Sequence, residues 1–562
     1  MTRFNGLPRV RRSVRSMLRF GLRAMAMALV VACLGPVAQA QAQAQARDEA
    51  PREPVVRDIR SLNYTEKQQL LDRIRKALRN ALDHTQPFPG QATYTPLKVK
   101  FRADARKEVL VIDIGAANGP FSGSADMSEL GGVLENAAIE ILDELNISHP
   151  AFDYEFSGRD WYYYNPEELQ YQREYERRMQ LKDGQSVIPP QGAKVAISAM
   201  HGYYWRLVDK VWKLQRPTES NGIYEDFITP EFVDPLKGYL LSRSNVALIG
   251  LPRNQSSDAH PDSGYPWWQM DGRENLEVLY PDNPEIWHSL SVPKQGRYKL
   301  WQYDDDINSR PLFANHIGAD ALFNLHTNAA GPSASGTRAY VAFNRPYDLA
   351  LANNILCGMK ELIHAQDAYK TFTIEDQAEE SRKYGENGLA LMPAVVLEVA
   401  FHTNASDAAA LQDPVFVDAA MKGVEKGFRL QAEGKLCEPF KIDQIPDVSG
   451  PQNVHIPVAV HYKGYPQFAV KALVEIVSCP TGWDCTGGEA NFPDPVPSPL
   501  TYTFSCTVTQ PLPTATFGMR TTLVDIDGVK TDPVEHNISC TPTAQPATNA
   551  PVGKPVARVG LG

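Results

Sequence analysis

The sequence predicts an α/β fold for the central part of the chain, between a small N-terminal α+β module and a C-terminal β-sandwich. Three strand-like apolar runs in the central part each end in polar residues, at 194–202, 320–330 and 393–404. Such runs, alternating with helix-like segments, are typical of a mostly parallel sheet flanked by helices. After about residue 448, short Val/Ile/Tyr/Phe runs separated by Pro, Gly and Asp predict the β-sandwich instead.

The composition indicates a globular protein of several domains. The chain has 562 residues, of which 43% are hydrophobic and 22% are charged, and this length corresponds to roughly three or four domains. The formal net charge of −10 argues against a nucleic-acid partner, since phosphates require a basic protein surface.

The N-terminus predicts export. Several arginines precede the apolar run 24–34 and the small-residue site at 38–40, a pattern typical of a cleaved signal peptide, here 1–40. We therefore expect the mature protein in the periplasm or outside the cell. No later run reaches the roughly 20 apolar residues that cross a bilayer, so no transmembrane segment is predicted. An alternative is that Cys33, in a degenerate lipoprotein box, carries a lipid anchor.

The cysteine content agrees with export. Of the seven cysteines, six remain after Cys33 is removed with the signal peptide, and an even number permits full pairing in an oxidising compartment. Four of them lie between 479 and 540, where three connectivities are possible. Cys357 lies in a helix-like run and is a candidate buried thiol.

Three segments are predicted between the signal peptide and the central part. An Ala/Gln/Arg/Pro-rich flexible tether covers 41–58, and the α+β module covers 59–150. Within the module, Thr65 and Gln68 are a candidate capping box for an amphipathic helix over 66–83. The apolar face of this helix contains Leu71, Ile74, Leu78 and Leu82, and the module continues with strands at 97–101 and 109–113 and a helix over 130–145. A linker or helical segment rich in Tyr, Glu and Arg covers 151–190.

Polar side chains at strand and helix ends predict a metal site in the central part. His201 follows a strand, His326 ends another, and Glu225 opens a helical stretch. Ligands bind at the carboxyl ends of strands in open α/β sheets, and two imidazoles with one carboxylate form the ligand set of a catalytic zinc with an open fourth position. Glu398, within the apolar run at 393–404, would then supply a general base. The alternative for Glu398 is a strand-end carboxylate paired with a cation.

Residues 191 to about 432 resemble the zinc-dependent N-acetylmuramoyl-L-alanine amidases of the third amidase class, which cut between the glycan and the stem peptide of peptidoglycan. The similar parts are 310–315 leading into His326-Thr-Asn328, 336–340, and 393–404 with the trailing Asp407, Leu411 and Pro414. The resemblance implies that 191–436 is a zinc-amidase domain. By matching position it implies His201, Glu225 and His326 as zinc ligands and Glu398 as the catalytic glutamate.

The first motif departs from the family pattern. The family carries Asp three residues before the His and Gly on both sides, where this chain has Ser198, Met200 and Tyr203 and keeps only Gly202. What orients His201 is therefore open. Glu231 is an alternative ligand to Glu225, and Pro235 predicts a kink or a late start of the following helix.

Residues 254–303 are an insertion relative to the family and are rich in Trp and Tyr. Aromatic faces suit sugar rings, so we expect Trp267 and Trp268, together with Asn328, to contact the substrate. The alternative is that the insertion packs its own tryptophans.

The C-terminal part is predicted as a disulfide-containing β-sandwich over 446–541 with a flexible tail over 542–562. The complete prediction is a zinc amidase that acts on peptidoglycan. The alternatives are a metal-free glycan-binding scaffold and a zinc peptidase that acts on another cell-wall amide.

Overall fold

The structure, a computed structural model, describes residues 56–84, 97–104, 107–115, 123–182, 186–290, 298–382, 384–543 and 554–560. The predicted signal peptide, Cys33 and most of the predicted tether lie outside these residues. In the part of the chain that the structure describes, no helix combines the length and the apolar character needed to cross a membrane.

The first helix of the N-terminal part is amphipathic, as predicted. Helix α1 (Tyr64–Asp83) buries Leu70, Leu71, Ile74, Leu78 and Leu82 on one face. The predicted capping box is wrong, because the helix begins earlier. The Asn63 side chain accepts from the Glu66 backbone N–H, and the Glu66 carboxylate accepts from the Asn63 backbone N–H.

A four-stranded sheet in the order β1-β2-β3-β4 packs against α1 and helix α2. The elements are β1 (Lys98–Ala103), β2 (Glu108–Asp113), α2 (Gly123–Glu144), β3 (Ala151–Phe156) and β4 (Arg159–Asp160). β3 pairs parallel with β2 after α2 has crossed over, so the sheet continues beyond residue 150, the predicted end of the module. The predicted helical segment 151–190 therefore begins as strand, and its helices are α3 (Trp161–Tyr164) and α4 (Pro166–Leu181).

The central part is built on a six-stranded sheet, with a separate two-stranded hairpin nearby. The strands are β5 (Lys194–Ala199), the hairpin strands β6 (Tyr203–Arg206) and β7 (Val211–Leu214), β8 (Leu248–Gly250), β9 (Ala321–Asn328), β10 (Arg338–Val341), β11 (Glu379–Glu380) and β12 (Ala394–Phe401). The order across the main sheet is β11-β10-β12-β9-β5-β8. β12, β9, β5 and β8 run parallel, whereas β10 is antiparallel to β12. The predicted α/β class is confirmed.

Helices surround this sheet. They are α5 (Glu225–Ile228), α6 (Val233–Arg243), α7 (Gly272–Leu279), α8 (Pro284–Trp287), α9 (Trp301–Ile317), α10 (Pro346–His364), α11 (Gly385–Gly388), α12 (Ala405–Leu411) and α13 (Pro414–Ala432). Single 3-10 turns cover Ile59–Ser61, Thr229–Phe232, Trp267–Gln269, Tyr298–Leu300 and Asp367–Tyr369. α6 begins at Val233, so Pro235 lies in its first turn, where its missing N–H costs little. A disulfide joins Cys357 of α10 to Cys437, and the expectation of a buried Cys357 thiol is therefore wrong.

The C-terminal part contains two five-stranded sheets. Their strands are β13 (Lys441–Gln444), β14 (Val448–Pro451), β15 (His455–Lys463), β16 (Val470–Ser478), β17 (Asp484–Thr486), β18 (Gly488–Phe492), β19 (Leu500–Thr507), β20 (Ala515–Asp525), β21 (Val534–Thr541) and β22 (Val556–Gly560). The orders are β13-β15-β19-β22-β17 and β14-β21-β20-β16-β18. Phe504 of one sheet and Phe517 of the other lie with ring centroids 5.4 Å apart in the buried core.

In the C-terminal part, the structure corrects the predicted tail and decides the pairing of the cysteines. β22 pairs antiparallel with β19, so the predicted flexible tail over 542–562 is wrong for 556–560, where a distant partner strand imposes the extended conformation. The cysteines pair as Cys479–Cys485 and Cys506–Cys540, one of the three connectivities that the sequence left open.

Candidate active site

Three predicted site residues meet at the carboxyl edge of the central sheet. His201 follows β5, His326 lies near the end of β9, and Glu225 is the first residue of α5. Their candidate ligand atoms all lie within 4.8 Å of one another, and all three residues are buried. β5 and β9 are adjacent and parallel, so their ends fall at the same edge and bring the two histidines together.

The Glu225 carboxylate lies between the two imidazoles. Its Oε1 is 3.3 Å from His201 Nε2 and 3.2 Å from His326 Nδ1. Burial disfavours a charge on Glu225, but the two histidines lower its pKa well below the ordinary value. Burial, assisted by Arg216, lowers the pKa of His201. Glu225 is therefore held as a carboxylate beside a neutral His201.

Gln215, a residue that the sequence analysis missed, orients His201. The Gln215 Oε1 atom is 3.0 Å from His201 Nδ1, while Gln215 Nε2 donates to Asp306 Oδ2 at 2.9 Å. The amide oxygen thus faces the ring, so Nδ1 carries the proton and Nε2 keeps its lone pair directed toward Glu225. No local pattern marks Gln215, because it reaches the site only through the β6–β7 hairpin.

The turn that carries His201 is fixed by Asp226, the neighbour of Glu225 in α5. The buried Asp226 carboxylate accepts from the backbone N–H groups of Gly202 at 2.7 Å, Gln215 at 3.1 Å and Arg216 at 2.8 Å. Burial raises the pKa of Asp226, and these three donors compensate part of that cost. α5 therefore supplies one candidate ligand and the group that holds another.

Gly202 is required by this turn. Its φ is +130°, and a Cβ at this position would lie 2.7 Å from the backbone of Met270 and Asp271. We expect Gly202→Ala to lower the free energy of unfolding by roughly 1–3 kcal/mol, because it adds strain at a positive φ and a backbone clash. Urea denaturation measures this change. Gly264→Ala is the matched control, since φ is +75° there and nothing lies within 4 Å; an equal loss in both variants would contradict the role of the close contact.

His326 has a second carboxylate neighbour, Glu386 of α11, also absent from the predicted set. His326 Nε2 is 3.7 Å from Glu386 Oε1, which accepts from Arg310 Nη1 at 2.9 Å. Burial opposes the charge on Glu386, but His326 and Arg310 lower its pKa to about 2. Burial likewise opposes protonation of His326, yet Glu225 and Glu386 raise its pKa to about 9. Arg310 is the first residue of the segment 310–315, which resembles the amidase family, and this was the only sequence signal near the contact.

Glu398 lies beside His326 on the adjacent strand. The two residues are register partners in the parallel β9–β12 pair, so their side chains project from the same face of the sheet. Tyr384 OH donates to Glu398 Oε1 at 3.2 Å, and Glu398 is 5% exposed. On the other side of β12, Arg338 of β10 is the register partner of Glu398. Its Nη1 donates to Asn136 Oδ1 at 3.0 Å.

One buried imidazole nitrogen in the site fits a metal ion. His201 Nε2 lies 3.3 Å from Glu225 Oε1 and has no hydrogen-bond partner among the described residues, and the His326 nitrogen that faces the same carboxylate oxygen is Nδ1. A buried polar nitrogen without a partner is costly, and a metal ion satisfies it. Two imidazoles and one carboxylate are a donor set that zinc accepts.

The other predicted site residues lie around this group. Glu231 is exposed on the turn Thr229–Phe232 and does not belong to the group of three. Asn328 ends β9 and is buried, and among the described residues its Nδ2 has no hydrogen-bond partner. Trp268 packs against Phe227 of α5 with ring centroids 5.6 Å apart, whereas Trp267 packs against His260 at 4.5 Å.

Arg253 connects the aromatic insertion to the site. Its guanidinium donates to the backbone carbonyls of Trp268, Met200 and Asp226, at 3.1, 2.7 and 2.6 Å. The backbone at Trp268 is thus joined to the residues beside His201 and Glu225. Of the two predicted substrate contacts in the insertion, Trp268 is the one held against the site.

Comparison with known proteins gives one family match and several similar structures. Residues 217–429 match the family model of the N-acetylmuramoyl-L-alanine amidases, a region that contains Glu225, His326 and Glu398 but begins after His201. None of the curated proteins compared with the chain matches it.

Similar solved structures include two amidases of low sequence identity. An N-acetylmuramoyl-L-alanine amidase from Clostridium difficile 630 is 16% identical, with a TM-score of 0.28, over 42% of this chain and 96% of that one. The catalytic domain of CwlV, an N-acetylmuramoyl-L-alanine amidase from Bacillus (Paenibacillus) polymyxa, is 18% identical, with a TM-score of 0.26, over 42% of this chain and 96% of that one.

Proposed function

We propose that the chain is an exported, zinc-dependent hydrolase, because residues 217–429 match the family model of the N-acetylmuramoyl-L-alanine amidases. Its substrate is the amide bond between N-acetylmuramic acid and L-alanine of peptidoglycan. The observation that carries the proposal is the convergence of His201, Glu225 and His326 within 4.8 Å, next to Glu398 on the neighbouring strand.

His201, Glu225 and His326 would hold the zinc ion. A zinc ion bound there supplies a Lewis acid for the scissile carbonyl and a water of lowered pKa. Gln215 contacts His201 Nδ1 at 3.0 Å and Glu386 lies 3.7 Å from His326 Nε2, so each faces the imidazole nitrogen that points away from Glu225. Burial of all three ligands excludes bulk water from them.

Glu398 would act as the general base and then as the general acid. Its carboxylate, steadied by the Tyr384 hydroxyl, accepts a proton from the attacking water and returns it to the departing L-alanine nitrogen. Asn328, with its buried amide nitrogen, is suited to donate a hydrogen bond to the substrate. Trp268, packed on Phe227, offers an aromatic surface to a sugar ring.

The proposal is tested by metal analysis of the purified protein and by digestion of purified peptidoglycan sacculi. We expect bound zinc, and as products glycan strands without peptides together with intact stem peptides that carry a free L-alanine amine. Cut stem peptides would identify a peptidase instead. Absence of both zinc and products would leave only a glycan-binding scaffold.

Gln215→Ala is expected to weaken zinc binding by about 10–100-fold, because removing the partner of a metal-bound imidazole costs that much in other proteins. Competition with a chromophoric chelator measures the affinity. Gln191→Ala, at an exposed position before β5, is the control and should bind zinc like the wild-type chain. Unchanged affinity in Gln215→Ala would show that Gln215 does not orient His201.

A further inference from the structure

A second group of metal-ligand side chains lies where the C-terminal end of α2 and the segment after it meet the segment before β11. Ligand atoms of Asp143, His149 and Glu375 lie within 4.8 Å of one another. Glu379 lies at the opposite edge of the imidazole, since His149 Nδ1 is 3.2 Å from Glu379 Oε1 whereas His149 Nε2 is 2.7 Å from Asp143 Oδ1. Glu379 therefore holds the ring with Nε2 turned toward Asp143.

These four residues line a large acidic cavity. Its volume is about 1130 Å³, and nine Asp or Glu residues line it against four Arg or Lys residues. Asp143 and His149 lie before the region that matches the amidase family, whereas Glu375 and Glu379 lie within it. The cavity therefore has walls from both parts of the chain, and its chemistry favours a cation.

Glu379 gives an independent indication of a ligand. Its side chain is 3% exposed, and its Oε2 is buried with no hydrogen-bond partner among the described residues. A buried carboxylate oxygen without a partner is energetically unfavourable. A cation bound in the cavity would offset this cost, because Glu379 also lines the cavity wall.

The charges of the group correspond to a divalent ion. The Arg338 guanidinium lies 3.7 Å from Asp143 Oδ2 and 4.0 Å from Glu375 Oε1 and offsets one of the three negative charges. Two carboxylate charges remain, and a divalent cation neutralises them.

We propose that Asp143, His149 and Glu375 form a second metal site, in which Glu379 holds the imidazole of His149 through Nδ1. The site binds a divalent ion that accepts both imidazole nitrogen and carboxylate oxygen, such as Mn²⁺. This site is separate from the group formed by His201, Glu225 and His326. The ion joins the N-terminal module to the amidase domain, because Asp143 and His149 come from the former and Glu375 from the latter.

The test measures Mn²⁺ binding to the full chain by the electron paramagnetic resonance signal of free Mn²⁺. The parent protein carries His326→Ala, so that the first group does not contribute and failure of the proposed zinc site leaves this test intact. We expect one Mn²⁺ per parent chain. Binding is expected to be lost when His149→Ala is added, at Mn²⁺ concentrations that saturate the parent, and to weaken by about 10–100-fold when Glu379→Gln is added.

Two further variants make the result decisive. Asp143→Asn changes a side chain that is 49% exposed, so it tests the same site without disturbing buried packing, and we expect weaker Mn²⁺ binding and a smaller Mn²⁺-dependent rise in melting temperature. Glu140→Gln, at an exposed carboxylate of the same cavity, should bind like the parent. The proposal is overturned if the parent binds no Mn²⁺, or if all variants bind it equally, and His149 is then an ion-paired residue.

Discussion

Glu398→Gln is expected to lower amide hydrolysis by about 10²–10⁴-fold, the usual contribution of a general acid–base group, while the zinc content stays at the wild-type level. The amide keeps the size of the side chain and an oxygen that accepts from the Tyr384 hydroxyl. It lacks only the carboxylate that takes the proton. Rates of release of L-alanine amines from sacculi, combined with metal analysis, measure the two effects separately.

Glu231→Gln is the matched control for this experiment. It makes the same chemical change at an exposed glutamate outside the group of three, and we expect wild-type rate and zinc content. An active Glu398→Gln enzyme would contradict the assignment of Glu398 as the base. Loss of zinc from Glu231→Gln would show that Glu231, rather than Glu225, is the carboxylate ligand.

His326→Ala is expected to abolish zinc binding at the site and to reduce hydrolysis by roughly 10³-fold or more, since metal activation accounts for several kcal/mol of transition-state stabilisation. The His326 ring lies between two carboxylates. Its Nδ1 is 3.2 Å from Glu225 Oε1, and its Nε2 is 3.7 Å from Glu386 Oε1. Its removal leaves two ligands, which are too few for a catalytic zinc.

The control for this variant is His364→Ala. His364 ends α10 and contacts the Phe372 carbonyl oxygen at 2.8 Å, so its loss should leave the zinc content and the rate unchanged. Circular dichroism of both variants checks the fold. A folded His326→Ala protein that retains zinc and activity would rule out His326 as a ligand.

The strands that lead to the two histidines were predictable, because apolar runs of the right length that end in polar residues are local signals. The orientation of His201 was not predictable, because Gln215 comes from a hairpin and its partner Asp306 from α9. These contacts join segments that are far apart in the sequence, and no spacing rule connects them.

Dependence on partners that are distant in the sequence also explains the errors outside the site. β3 and β22 were placed in a linker and a tail, since each is stabilised by pairing with a distant strand and their own composition gives a weak signal. Cys357 was predicted as a buried thiol, although Cys437 is 80 residues further along the chain. Secondary structure that depends on a remote partner is not encoded in a short window.

The sequence by itself determined the α/β class of the central part, the strands that end near His326 and Glu398, and the identity of the candidate ligands, because these depend on local hydrophobic pattern and on residue chemistry. Only the tertiary structure decided that Glu225 rather than Glu231 lies between the histidines, that Gln215 and Glu386 lie beside them, and that Glu398 and His326 are neighbours on adjacent strands. The reason is physical: parallel strand register and helix placement are set by packing of the whole core.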